Sequence, residues 1–123
     1  MRSISVSELA NQLERRKPLR LLDVRRAQAL AASGVQIAGA QWKDPALWLD
    51  WKDEIAHDLP IVVYCAHGHE ISQGLTATLQ AMGADACHLE GGISAWQAQG
   101  QSITPVQMEG SAAEVDLPQA SQD

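Results

Sequence analysis

The sequence predicts an α/β fold, a parallel sheet covered by helices. Short apolar runs rich in β-branched residues alternate with helix-period patterns along the chain. The clearest run, Ile61-Val62-Val63-Tyr64, is uninterrupted, as a strand buried on both faces must be. Size agrees: 123 residues, 46% hydrophobic and 20% charged, make one packed core that needs neither metal nor disulfide.

Each element has its own signal. Ser7 is placed to cap a helix over residues 8–16, where Leu9 and Leu13 stand four apart on one face. Residues 19–24 read as a buried strand ending in Asp23-Val24-Arg25, and an Ala- and Leu-rich helix over 26–32 stops at Ser33-Gly34. Residues 36–42 are a glycine-containing connection into a short extended piece. Asp44-Pro45 opens the next helix, with Asp as cap and Pro at the first helical position. Leu47, Trp48, Trp51 and Ile55 fall on one broad face of it, and His57 is read as its C-terminal residue.

Pro60 introduces the strand over 61–64, expected at the centre of the sheet, which delivers Cys65 at its C-terminal end. Residues 66–71 form a loop, and Ser72 is read as the cap of a helix reaching about Met82 before Gly83. Residues 86–89 are another strand, Gly91-Gly92 a turn, and 93–99 the final helix. The domain spans 1–106. From Gln107 the chain turns polar, with Glu109, Glu114, Asp116 and Asp123, so 107–123 is expected to be an acidic, disordered tail. There is no internal repeat.

The net charge of −6 is unevenly spread. All nine Lys and Arg lie between Arg2 and Lys52, against five acids there, a surplus of four positive charges; residues 53–123 hold ten acids and no Lys or Arg. Such a chain lacks the electrostatic footprint of a nucleic-acid binder, and Arg15-Arg16-Lys17 reads as a solvated helix end. The longest mainly apolar run, residues 59–66, is too short to cross a bilayer, and no signal-peptide stretch follows Met1. The expectation is a cytoplasmic protein with neither nucleic acid nor membrane as partner. In that setting Cys65 and Cys87 argue against a structural disulfide.

A strand that feeds Cys65 into a glycine-containing loop and then a helix start is an arrangement with chemical consequences. Loop N–H groups can turn inward as an anion-binding nest, and the helix start adds partial positive charge. Both favour thiolate over thiol. A cysteine with a pKa of about 8.5 is only a few per cent thiolate at neutral pH, and lowering that by about two makes thiolate the majority form. Gly68 permits the backbone conformations that a tight cradle needs. The plain alternative is a buried strand-end cysteine that packs and does nothing.

Four segments, in order, are similar to the rhodanese family of sulfurtransferases: Leu21-Leu22-Asp23-Val24-Arg25; Ile37-Ala38-Gly39-Ala40; Val62-Val63-Tyr64-Cys65 with its loop; and Leu89-Glu90-Gly91-Gly92-Ile93-Ser94-Ala95-Trp96. The resemblance runs from about Val6 to Pro105. It implies one rhodanese-like domain with a mostly parallel five-stranded sheet and helices on both faces. It also implies that Cys65 is the catalytic residue. Its thiolate would attack the outer sulfur of a small anionic donor such as thiosulfate, sulfite would leave, and a persulfide would remain. A thiol, cyanide or a protein sulfur acceptor would then take that sulfur. No metal or organic cofactor is implied. Substrate binding would fall to Ala66, His67, Gly68, His69, Glu70, Ile71 and Ser72, with Asp23 and Arg25 in support, tying the strand end to neighbouring backbone. Arg25 and Arg26 could lend positive potential to the site.

Two features depart from the family pattern. The position five after the cysteine, basic in many single-domain members, is Glu70, and the loop holds no permanent cation. The reach from Cys65 to Gly83 is also about one residue longer than the six-residue-loop type, through either a seven-residue loop or a longer helix.

Three rivals stand beside the sulfurtransferase reading. A Cys-based phosphatase or arsenate reductase wants a loop arginine to grip phosphoryl oxygens, and no arginine follows Cys65. A metal site could draw on Cys65, His67, His69, Cys87 and His88, but the spacing matches no closed zinc site. A non-catalytic sensor or interaction module gains weight from Glu70. Elsewhere, Cys87 reads as a small core residue rather than a resolving thiol, Trp42, Trp48 and Trp51 as core and site-rim packing, and Trp96 as an anchor of the last helix.

Overall fold

The computed structural model describes residues 2–68 and 70–106; the tail expected over 107–123 lies outside the described residues. Elements run in the order β1 (Ser3–Ile4), α1 (Val6–Glu14), β2 (Arg20–Asp23), α2 (Ala27–Ser33), β3 (Val35–Ile37), β4 (Gln41–Trp42), α3 (Trp48–Trp51), β5 (Ile61–Tyr64), α4 (Glu70–Ala81), β6 (Ala86–Leu89), α5 (Gly92–Ala98) and β7 (Ile103–Pro105). Five strands form one sheet in the order β1-β6-β5-β2-β4, with every neighbouring pair parallel. β3 and β7 form a small antiparallel pair.

β5 sits at the centre and all four of its residues are buried. Its side chains alternate between two cores, as a strand's twofold period requires. Val62 and Tyr64 join Ile4, Leu9, Leu21, Leu89, Ile93 and Trp96 on the face covered by α1 and α5. Ile61, Val63 and Cys65 join Leu22, Val24, Trp51, Ile55 and Leu79 on the face covered by α3 and α4.

The topology fixes where a site can form. From β5 the chain crosses through α4 to β6 on one side, whereas β2 leads outward to β4 on the other. Loops leaving β2 and β5 therefore diverge from adjacent strand ends, where a crevice opens at the C-terminal edge of a parallel sheet. Asp23 and Tyr64 are register partners at that edge.

Several boundaries differ from expectation. The cap of α1 is Ser5 rather than Ser7: Ser5 Oγ accepts the Glu8 N–H at 3.1 Å while the Glu8 carboxylate accepts the Ser5 N–H at 3.0 Å. Those bonds hold the Glu8 carboxyl below its usual range. Arg26 flanks α2 rather than opening it, and Gly34 closes α2 in the left-handed conformation at φ 72°. The expected helix after Pro45 is broken into a 3-10 turn (Pro45–Leu47), α3 and a second 3-10 turn (Lys52–Glu54), so His57 lies in a bend beyond it. Ser72 lies inside α4, whose helix begins at Glu70. α5 begins one residue earlier than expected, at Gly92.

Candidate active site

β5 ends by delivering Cys65 into the lining of that crevice, buried to 7% exposure. The first turn of α4 lies against it. Ser72 is fully buried, and its Oγ stands 3.2 Å from Cys65 Sγ. A hydroxyl at that distance can donate to a thiolate as readily as accept from a thiol.

The loop after Cys65 is held by the first turn of α5. Ile93 N–H donates to the Cys65 carbonyl at 3.0 Å and Ser94 N–H to the Ala66 carbonyl at 2.9 Å. The two segments approach so closely that side chains are excluded. Gly92 has φ +60°, and a Cβ there would lie 2.3 Å from the Cys65 carbonyl oxygen. Gly68 has φ +75°, and a Cβ there would lie 2.7 Å from Gly91 N. From α4, Gln73 Nε2 donates to the Gly68 carbonyl at 2.8 Å. The cradle is thus fixed from both sides.

The crevice is a cleft of about 480 Å3 lined by Arg25, Arg26, Ala29, Cys65, Ala66, His67, Glu70 and Ile71. Of the residues expected to bind substrate, Ala66, His67, Glu70 and Ile71 line it, while Gly68 and Ser72 are buried behind. His69 lies outside the described residues.

Asp23 and Arg25 are a buried pair at the cleft wall. Asp23 is 0% and Arg25 2% exposed. Arg25 donates to Asp23 through Nε at 3.0 Å and Nη2 at 2.6 Å, and through Nη2 to the Val35 carbonyl at 2.7 Å. Burial works against the guanidinium charge, but bonding to Asp23 outweighs it and Arg25 holds its proton more tightly than usual. Its charge is spent on Asp23. Trp42 Nε1 closes the corner by donating to the Arg25 carbonyl at 2.8 Å. Neither Trp42, Trp48 nor Trp51 lines the cleft; Trp48 and Trp51 pack edge to face at 4.8 Å.

Cys87 lies away from this site. It packs against the core on the opposite face of the sheet, and burial pushes its thiol pKa up. Among the described residues no three His, Cys, Asp or Glu side chains gather as metal ligands.

Thr76 escaped the sequence reading, and His88 entered it only as a candidate metal ligand. Thr76, one turn beyond Ser72 on the buried face of α4, and His88 on β6 have Thr76 Oγ1 and His88 Nδ1 buried without a hydrogen-bond partner. The four-residue spacing of Ser72 and Thr76 was the available signal, since it puts both on one helix face.

No curated protein matches the chain. Among solved structures, a rhodanese-like domain protein from Staphylococcus aureus shares 31% identity at a TM-score of 0.72, covering 85% of this chain and 99% of that one. A rhodanese-related protein from Thermoplasma volcanium shares 25% identity at a TM-score of 0.74, covering 85% and 98%. A Rhodopseudomonas palustris protein of unknown function, described as a possible tyrosine phosphatase, shares 23% identity at a TM-score of 0.74, covering 85% of each chain, a likeness of fold alone. The family model of the rhodanese-like domain matches residues 5–99. With that match over most of its length and the parallel sheet that expectation required, the chain belongs to the rhodanese-like domain family.

Proposed function

We propose that the protein is a sulfurtransferase that carries a sulfane sulfur as a persulfide on Cys65. One observation carries the reading: Cys65, in the lining of a solvent-open cleft, has its Sγ against the first turn of α4, 3.2 Å from the Ser72 hydroxyl. The Cys65 thiolate attacks the outer sulfur of a donor such as thiosulfate. The donor S–S bond breaks, and sulfite departs with its electron pair. An acceptor thiolate, on a small molecule or a protein, then attacks the terminal sulfur of the persulfide, and Cys65 leaves as thiolate. The helix start and the Ser72 hydroxyl favour the anionic forms of Cys65 throughout. Two unbridged cysteines suit a reducing compartment such as the cytoplasm, and among the described residues no helix is long and apolar enough to cross a membrane.

A non-catalytic sensor or interaction module is the second reading, favoured by Glu70, whose carboxylate lines the cleft where an anionic donor would enter. Mass spectrometry after incubation with thiosulfate decides between them. The transferase gains one sulfur atom on Cys65 and loses it on adding a thiol; a sensor without transfer chemistry gains none.

A further inference from the structure

The cleft is lined by side chains of both charges. Arg25, Arg26 and Ala29 come from the β2–α2 side, and Cys65, Ala66, His67, Glu70 and Ile71 from the β5–α4 side. Arg25 is neutralised by Asp23. That leaves Arg26 on one wall and Glu70 on the other. Both are exposed, and neither is engaged in an ion pair among the described residues. Arg26 makes no side-chain hydrogen bond to the α2 terminus that it flanks. The rest of the lining is Ala29, Ala66, Ile71 and Cys65, with the exposed imidazole of His67 on the Glu70 side.

We infer that the cleft selects a small zwitterionic thiol, an amino-acid-type molecule bearing an ammonium, a carboxylate and a sulfur, as the partner of Cys65 in sulfur exchange. The carboxylate pairs with Arg26, the ammonium with Glu70, and the short aliphatic stem lies on the alanines with its sulfur toward Cys65 Sγ. A dianion satisfies Arg26 but is repelled by Glu70; a plain amine does the reverse. Only a molecule with both groups uses both walls. A cleft of about 480 Å3 accommodates such a ligand and falls within the usual range for small-molecule sites. In the exchange, the thiolate of the zwitterion attacks the terminal sulfur of the Cys65 persulfide. The Cys65 S–S bond breaks, Cys65 leaves as thiolate, and the zwitterion departs as its persulfide, so electrons balance without a further reductant.

The chemical half of this assignment rests on the sulfurtransferase reading, but the recognition half can be measured without turnover. Three thioethers that cannot exchange sulfur serve as probes on the full chain: S-methylcysteine, 3-(methylthio)propionate without the ammonium, and 2-(methylthio)ethylamine without the carboxylate. Dissociation constants are read by NMR titration at low salt. The expected result is that S-methylcysteine binds about tenfold more tightly than either single-charge probe. Glu70→Gln should abolish its advantage over the propionate, and Arg26→Gln its advantage over the amine. Glu70→Asp should restore part of the first advantage, as a merely structural role would not. Both positions are exposed, so the variants are expected to fold. Equal affinities for the three probes, or a ranking unmoved by either glutamine variant, overturns the assignment. Failure of Cys65 to gain sulfur from thiosulfate or from cysteine persulfide would instead overturn the sulfurtransferase reading, whatever the probe ranking.

Discussion

The hydroxyl of Tyr64 donates to Asp23 Oδ2 at 2.9 Å across the β5–β2 pairing, while accepting the Ile37 N–H at 3.1 Å. The Arg25 guanidinium lies 5.9 Å from the centre of the Tyr64 ring. One buried phenol thus joins the strand before the cleft cysteine, the strand before Arg25, and β3. Tyr64→Phe removes the donor to Asp23 and leaves the Ile37 N–H buried and unpaired. The expected loss is about 1–3 kcal/mol of unfolding free energy, measured by denaturant titration.

The same tyrosine gives a pH prediction. Burial first, and then the Asp23 charge, push its pKa above the ordinary 10.0. A folded-state pKa above the unfolded one means that the unfolded chain loses its proton first. This contribution to stability is therefore complete below pH 10.0 and is lost as pH rises beyond it, by about 1.4 kcal/mol per pH unit. Tyr64 is the only tyrosine, so tyrosinate absorbance reports it alone. The signal should stay flat through pH 10 and rise together with unfolding. A reversible rise near pH 10 in folded protein would contradict the buried pairing.

Two glycines should respond in opposite directions to the same substitution. At Gly92 a methyl group would meet the Cys65 carbonyl oxygen at 2.3 Å, on a backbone at φ +60°. Gly92→Ala is expected to cost more than about 1 kcal/mol and to slow alkylation of Cys65, because the loop must move. Gly74 is exposed within α4, and a methyl group there would meet nothing within 4 Å beyond its own helix backbone and chain neighbours. Gly74→Ala should stabilise by about 0.4–1 kcal/mol. Thermal melting and iodoacetamide kinetics on the two variants check both.

Much of this arrangement was legible because it is written in local patterns. The run from Ile61 to Tyr64 could only be a central strand, and Cys65 followed from where it ended. The Ser5–Glu8 capping box was equally present in the sequence, and choosing Ser7 missed it by two residues. β1 and β7 were not legible. Two- and three-residue strands carry too little periodicity to stand out and exist because β6 and β3 offer them edges. Ser72 was a helix-cap residue by type, yet three-dimensional packing turned it inward onto Cys65. The Tyr64–Asp23 bond joins residues 41 apart in the chain and has no local signature.

The two thiols should separate cleanly. Cys65→Ser is expected to abolish sulfur transfer, since a hydroxyl cannot form the persulfide. Cys87→Ala should retain most activity, because Cys87 lies on the other face of the sheet with its pKa raised by burial. Its cost should appear in stability instead, about 1 kcal/mol for a partly buried side chain that size. Assays of thiosulfate consumption beside melting curves give both numbers, and equal activity losses would point to a two-thiol mechanism.

Glu70 is expected to set the response to thiosulfate. Its carboxylate lines the cleft at the start of α4, where an anionic donor would approach Cys65. Coulomb repulsion at short range opposes a dianion there, while Arg26 draws it in. Glu70→Arg reverses that sign and is expected to lower the Michaelis constant for thiosulfate by about tenfold with a smaller change in turnover, the pattern of a binding effect. The gain should shrink as salt rises, because the cleft is open to solvent and its charges are screened. The same variant should bind a zwitterionic thiol less well than the parent protein. An unchanged Michaelis constant at low salt would mean that the Glu70 charge is turned to solvent, and the shape of the connection between β5 and α4 would then govern donor choice.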